Sequence, residues 1–381
     1  MTQTLPPVLS PPLLLATDGS ASARMAQALV RSIADLLRHQ LGELPVSDSI
    51  VEHPSVLTVL TVQPRISKPG MRLGKKPTKD LPKNQPKQAT EVTDFPPASV
   101  LTLSEEEQAK APLTEEGLAE LVKLDFPEDF PLTLQVRQGR PATEILNCAR
   151  TIQAGLIAVG HRGIGGVREL LLGSVSTAIA RYAPCSVLVV RTRSENPASI
   201  SLNHVLLVVD NSSAVQQAIA VTRQLAAAGI QQMTLLHIQP PLNVSYLVSP
   251  FVSRSPSWQL NQSLQDAQRE QGELMLQRAQ AAIALPDVAI QTRLQIGDPG
   301  PTICQVAQDL NINLIILGSD SVRRSLLSPL QAMRASRRNR PASDNTPILR
   351  NTRLSVTEDY VIHYAPCPVL LCRTSDREHG R

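Results

Sequence analysis

Aromatic side chains are nearly absent from this sequence of 381 residues: one Trp, four Tyr and four Phe make up 2% of it. So little ring surface excludes a base-stacking platform for nucleic acid. It also leaves Leu, Val, Ile and Ala to fill the core. Cysteine is scarce. Cys148, Cys185, Cys304, Cys367 and Cys372 are odd in number and form no CxxC pair. That pattern fits buried, reduced thiols of a cytoplasmic protein rather than a disulfide framework. No His/Cys/Asp cluster has metal-ligand spacing. No apolar run reaches the roughly 18 residues that span a bilayer. The opening MTQTLPPVLSPPLLLATDG lacks a basic flank and is broken by prolines, unlike a secretion signal. The net charge of +4 is mild and demands neither a nucleic-acid nor a membrane partner.

What is present is one unit, twice. LLLATDGSASA (13–23) matches LLVVDNSSAVQ (206–216) when Asp18 is laid on Asp210. LTVLTVQP (57–64) matches MTLLHIQP (233–240), and VRQGRPATEI (136–145) matches LQIGDPGPTI (294–303). LIAVG (156–160) then matches LIILG (314–318), and RYAPCSVLVVR (181–191) matches HYAPCPVLLCR (363–373). The offset falls from 192 to 158 and rises again to 182, so each copy carries its own insertion. The first, 64–112, is rich in proline and lysine. The second, 322–353, holds eight arginines against the single acid Asp344. Neither has the apolar content of a core, and both read as solvated loops open to a protein partner.

Within each copy, short continuous apolar runs alternate with helical periodicity, as in SARMAQALVRSIADLLRH (22–39). Such runs are strands buried on both faces of a parallel sheet. The alternation predicts two tandem three-layer α/β/α domains, 11–193 and 203–375, with right-handed crossovers.

The densest signal is GHRGIGGVRELLLGS (160–174), set between the strand LIAV and the helical segment VSTAIARYA. Gly160 and Gly163 free the backbone to turn and to approach a ligand. Gly173 and Ser174 open a helix whose N–H groups suit a phosphate, with Ser174 available as N-cap or donor. The loop is neither a Walker A motif nor GxGxxG. His161 and Arg162 read as exposed loop residues within reach of a phosphate. Asp18 reads either as an Asx-turn residue or as a ligand-facing carboxylate that needs Mg²⁺ or a ribose hydroxyl between it and a phosphate.

Gly160-x-x-Gly163, nine residues, then Gly173-Ser174 resembles the nucleotide loop G-x2-G-x9-G-(S/T) of the universal stress protein (UspA-like) family. ATDGS (16–20), GRPATEI (139–145) and APCSVLVVR (183–191) extend the likeness. The resemblance implies an adenine-nucleotide α-hydrolase-like, Rossmann-like sheet of order 3-2-1-4-5. It implies ATP, with Mg²⁺, bound in the first copy. Thr17 and Asp18 would lie by ribose and phosphates, and Val62 at the adenine edge. Arg162, Gly160, Gly163, Gly173, Ser174, Val175 and Ser176 would surround the phosphates. The second copy keeps Asp210 and Gly318 but has Ser321 for Gly163, Ser355 and Val356 for Gly173 and Ser174, and Glu358 for Ser176. It is expected to be a degenerate partner. The family's order leaves the fifth strands, Val187–Arg191 and Val369–Arg373, at sheet edges. They are expected to pair antiparallel within the chain as a pseudo-dimer, with Val189 near Leu371, and further homodimerisation stays open. No nucleophile–base pair is visible, so the expected role is a stress-response sensor or regulatory module and at most a slow ATPase. The alternatives are an interaction protein that binds no nucleotide and a nucleotide-dependent transferase. The SGGxDS-like and HxGH-like residues of the latter are missing.

Overall fold

The structure is a computed structural model. It describes residues 9–42, 55–63, 115–123, 126–127, 130–161, 173–191, 202–241, 257–319 and 354–373. Both predicted insertions, 64–112 and 322–353, lie outside the described residues.

The first half runs β1 (Leu13–Ala16), α1 (Ala21–Gly42), β2 (Leu57–Gln63), α2 (Glu115–Lys123), β3 (Leu132–Gln138), α3 (Pro141–Thr151), β4 (Leu156–Gly160), α4 (Ser174–Tyr182), β5 (Ser186–Val190). The second repeats it: β6 (His204–Val208), α5 (Ala214–Ala226), β7 (Gln232–Gln239), α6 (Ser257–Ile283), β8 (Ala289–Ile296), α7 (Pro299–Asp309), β9 (Leu314–Gly318), α8 (Val356–Tyr364), β10 (Val369–Cys372). The strands form one ten-stranded sheet, β3-β2-β1-β4-β5-β10-β9-β6-β7-β8. Counted from its own first strand, each half has the order 3-2-1-4-5.

The layers follow from side-chain parity. In β1, Leu13 and Leu15 join one buried cluster with α1, α2, α5 and α6, while Leu14 joins a second with α3, α4, α7 and α8. Successive strand residues face opposite sides, so an unbroken apolar run is what a sheet covered on both faces requires. Each cluster contains residues of both halves, so the halves share their cores.

The join is antiparallel: Val189 opposes Val369, Leu188 opposes Leu370 and Val187 opposes Leu371. The expected edge pairing is therefore present, with a corrected register. Leu188 and Leu370 are equivalent residues of the repeat, 182 apart, and a local two-fold must place equivalents opposite each other. That puts Val189 on Val369, not on Leu371. The strands also end one residue earlier than expected, leaving Arg191 and Arg373 just beyond them.

Those two arginines are exchanged across the seam. Arg191 donates from its guanidinium to His363 O (2.8 Å) and Ala365 O (2.9 Å), at the end of α8. Arg373 donates to Ala183 O (3.2 Å) and to Ala180 O, at the end of α4. A helix C-terminus carries unpaired carbonyls and partial negative charge, so a cation is favoured there. On the other face Gln224 of α5 clamps the backbone of Leu9, accepting from its N–H (2.8 Å) and donating to its carbonyl (2.9 Å). The half-exposed Arg181–Asp359 pair at 3.5 Å also bridges the halves, but such pairs contribute at most about 1 kcal/mol.

The register gives a direct prediction. Directly opposed antiparallel residues have Cα atoms about 4.5–5.5 Å apart, inside the disulfide range. Cysteines at Val189 and Val369, in a chain freed of its native thiols, should form an intramolecular bridge on mild oxidation. A gel-shift and peptide map that show only reduced thiols or intermolecular links would contradict the seam.

Candidate functional site

The site predicted from the glycine loop falls at the carboxyl ends of β1 and β4, which are adjacent and parallel, with Ala16 opposite Val159. The helices that follow them, α1 and α4, pack on opposite faces of the sheet. A crevice opens where neighbouring connections leave in opposite directions, and this is where ligands bind in open α/β sheets.

One wall is the segment Thr17–Ser20. Thr17 N donates to Leu60 O (2.9 Å), which carries the chain one residue past β1. Asp18 Oδ1 then accepts from Ser20 N (3.0 Å), an Asx turn, and Gly19 takes φ +77°. Ser20 Oγ accepts from Ala23 N (3.2 Å), so Ser20 caps α1. Asp210 repeats the turn in the second half, accepting from Ser212 N (3.0 Å) and Ser212 Oγ (2.6 Å). The turn accounts for an aspartate at both positions. Val62 lies at the end of β2, half-buried against the α3 and α4 side.

The other wall is the head of α4. Its N-cap is Gly173, with no side-chain capping bond, and Ser174 is the first helical residue. Of the two roles open to Ser174, N-cap or donor, the cap position is therefore taken by Gly173. Ser176 is buried, and its hydroxyl donates to His161 O (2.9 Å) and lies 3.0 Å from Gly173 O. Thr177 Oγ1 also donates to Gly173 O (3.0 Å). Ser176 therefore ties the loop's two ends together, His161 on one side and Gly173 on the other. Gly173 N donates to His161 O (3.0 Å), closing the same link. Arg162 and Gly163 lie outside the described residues.

Two further readings change. His161, expected to be exposed, is only 4% exposed, because its N–H bonds Val190 O (2.7 Å) and extends the β4–β5 pairing by one residue. Gly160 makes no turn, and its surroundings show a packing need that the motif alone did not. It is the last residue of β4, and a Cβ there would stand 2.5 Å from Ser22 Oγ and 2.9 Å from Ala23 N. The glycine lets the first turn of α1 lie against the strand. Gly318 does the same for α5, where a Cβ would meet Ala214 C at 2.6 Å.

Cys185, Cys367 and Cys372 are buried in the cores. Burial pushes the half-buried Cys304 thiol up to about 11, and Cys148 upward also. Thiols so shifted stay protonated at neutral pH and are poor nucleophiles. Among the described residues no helix is long and apolar enough to cross a membrane.

The universal stress protein family model matches residues 11–191 and 201–337, most of the chain. The chain belongs to the universal stress protein family. It is a tandem member, and the second match stops before α8 and β10, which the structure shows to complete the second half. Universal stress protein YxiE of Bacillus subtilis (strain 168) is 51% identical over 53 residues, 14% of this chain and 36% of that protein. The matches to the first curated relatives span between 26% and 60% of those relatives' lengths. A protein of unknown function from Pseudomonas aeruginosa PAO1 shares the fold over 96% of this chain and 92% of its own, with TM-score 0.54 and 14% identity. An Arabidopsis thaliana member, crystallised with AMP bound, matches 46% of this chain and 94% of its own at 16% identity, TM-score 0.27.

Proposed function

We propose that the first half of this universal stress protein binds an adenine nucleotide, ATP with Mg²⁺, and that the chain acts as a nucleotide-responsive regulatory module in the cytoplasm. One observation carries the reading: the two halves differ at the helix that follows their fourth strand. The head of α4 is opened by Gly173 and left without a side-chain cap, beside the β1–β4 crevice. The head of α8 is closed by a complete capping box of Ser355 and Glu358. Uncapped N–H groups and the positive end of the helix dipole suit a phosphate; a helix already closed by a carboxylate does not.

In this reading the chain divides into domains at 11–193 and 203–375. The backbone of Gly163, Gly173, Ser174, Val175 and Ser176 holds the phosphates, with Arg162 alongside. The Ser176 hydroxyl, being committed to His161 and Gly173, shapes the loop rather than touching ligand. Thr17 and Asp18 face ribose and metal, and Val62 lines the adenine. Mg²⁺ would separate the Asp18 carboxylate from the phosphate charge. Hydrolysis, where it occurs, is expected to be slow. The closed second half favours a supporting role for it, completing the sheet and presenting its surface to a protein partner.

The test is calorimetry with ATP–Mg²⁺. Gly163→Val and Gly173→Val should each weaken binding by at least about tenfold, the loss of one charge-assisted hydrogen bond or more. Ser321→Ala should leave it unchanged. Unaltered binding in both valine variants, with far-UV circular dichroism preserved, would remove the site from this loop.

A further inference from the structure

The third strand of each half ends the sheet, so β3 and β8 each present one open edge. On β8 the residues of that edge can be named. Ala289 N donates to Gln231 O (2.9 Å) and Gly297 N to Gln239 O (3.0 Å), so these two N–H groups point at β7. Backbone groups alternate sides along a strand. The N–H and C=O of Ile290, Thr292, Leu294 and Ile296 therefore face away from β7, and among the described strands none lies beyond. Such an edge is a template for a further strand unless charge, proline or a bulge guards it. β8, AIQTRLQI, contains no proline, and its eight residues pair with β7 in unbroken register. Its one charged residue is Arg293, which alternation sets on the opposite face from Ile290, Thr292, Leu294 and Ile296.

The two ends of this edge differ in shape. Val288, Ile290 and Leu294 pack against the buried cluster on the α6 side of the sheet. At the start of the strand a groove of about 360 Å³ opens beside that cluster, lined by Gln280, Ala284, Leu285, Pro286, Val288 and Ile290. At its end, on the same face by alternation, stands Ile296, 70% exposed. The first half differs at both places. With the repeat offset of 158, Val288 corresponds to Phe130 and Ile296 to Gln138. Phe130 is buried, its ring 5.0 Å from that of the equally buried Phe126. The β3 edge is thus packed at its start and polar at its end, whereas the β8 edge is open at its start and apolar at its end.

We propose that the β8 edge is a self-association surface: β8 pairs antiparallel with β8 of a second copy of this chain, about a two-fold axis at Thr292. The register selects the axis. Ile296 lies four residues after Thr292 and Val288 four before it, so this two-fold sets Ile296 of each copy beside Val288 and the groove of the other. Ile290 then opposes Leu294, and Thr292 opposes its own counterpart. These are the residues whose N–H and C=O are open, so they form the hydrogen-bonded pairs of the new ladder. Arg293 falls opposite Gln291, and no like charges meet. A contact that is complementary to itself in this way closes as a dimer. The β1–β4 crevice lies in the other half of the sheet, and the proposal does not depend on what it binds.

The experiment follows the mass of the full chain by analytical ultracentrifugation over a dilution series. Wild type is expected to be a dimer that dissociates on dilution. Ile296→Lys changes a side chain that is already 70% exposed, so far-UV circular dichroism should be preserved. It should raise the dissociation constant at least about tenfold, because an ammonium would have to enter an apolar groove. Gln138→Lys, the same change at the matching place on β3, should leave the dimer as in wild type. Thr292→Cys, in a chain freed of its native thiols, should give an intermolecular bridge between the introduced thiols on mild oxidation. Opposed residues of a hydrogen-bonded pair lie about 5.5 Å apart, within disulfide range. A wild type that stays monomeric at its solubility limit overturns the proposal. So does a dimer that Ile296→Lys leaves unweakened, one that Gln138→Lys dissolves, or one in which the thiols of Thr292→Cys stay reduced.

Discussion

Arg373→Ala should be the most destabilising truncation at the seam, at about 3–5 kcal/mol, since more than one buried acceptor loses its donor at about 1–3 kcal/mol each. The side chain is 4% exposed and serves three groups at once: Ala183 O, Ala180 O and Ser319 Oγ. Its backbone is held as well, with Arg373 N donating to Ser186 Oγ at 3.1 Å across the seam. Truncation leaves the last carbonyls of α4 and the Ser319 hydroxyl without the donor that served them. Arg191→Ala removes the mirror contacts to His363 O and Ala365 O, but Arg191 is half-buried, and water replaces part of what is lost. Its cost should be nearer 1–3 kcal/mol, as for an ordinary hydrogen bond to a charged group. Arg373→Lys should fall between, because an ammonium keeps the charge but cannot reach three acceptors with one planar fork. Urea unfolding of the three variants checks the order. Equal midpoints for Arg373→Ala and Arg191→Ala would mean that the exchange across the seam contributes no more on its buried side than on its exposed one.

Much of this fold was legible because it is local or repeated. The strands are apolar runs, the Asx turn at Asp18 is written as Asp-Gly-Ser, and the order of five matched segments gave the tandem organisation. The edge pairing followed from two apolar fifth strands that had to be covered. What was not legible depends on contacts across the chain. His161 looks like a loop residue until its N–H is seen to continue the β4–β5 ladder. Gly160 belongs to a glycine-rich motif and was read with it, yet its neighbours are Ser22 and Ala23, far away in sequence. Arg191 and Arg373 end the two best-matched segments, which was a signal. Their partners lie more than 170 residues away, at helix ends that only the antiparallel seam brings near. The Ser355-x-x-Glu358 spacing is a capping-box signature in its own right. Read only as a replacement for Ser176, Glu358 concealed the fact that the helix head was already satisfied.

The glycines that end β4 and β9 separate structural need from ligand need. Neither has a positive φ, so an alanine suffers from lack of space and not from backbone strain. At Gly318 the three nearest atoms to a new Cβ are backbone atoms of Ala214 and Val215, at 2.6–2.8 Å. Backbone cannot rotate aside, so α5 must move. At Gly160 the nearest atom is Ser22 Oγ at 2.5 Å, which can turn away, but Ala23 N and Ser22 C remain at 2.9 Å. Overpacking of this kind costs about 1–3 kcal/mol, and Gly318→Ala should sit at the upper end and Gly160→Ala below it. Function should rank them the other way. Displacing the first turn of α1 moves Ser20, its cap, and with it the turn that holds Asp18. Gly160→Ala should therefore weaken ATP–Mg²⁺ binding by about tenfold or more, while Gly318→Ala, though less stable, should bind as wild type does. Urea unfolding gives the first ranking and calorimetry the second. If both variants lost affinity together, the crevice would be responding to the stability of the whole sheet, and the assignment of the ligand to the β1–β4 end of the first half would lose its support.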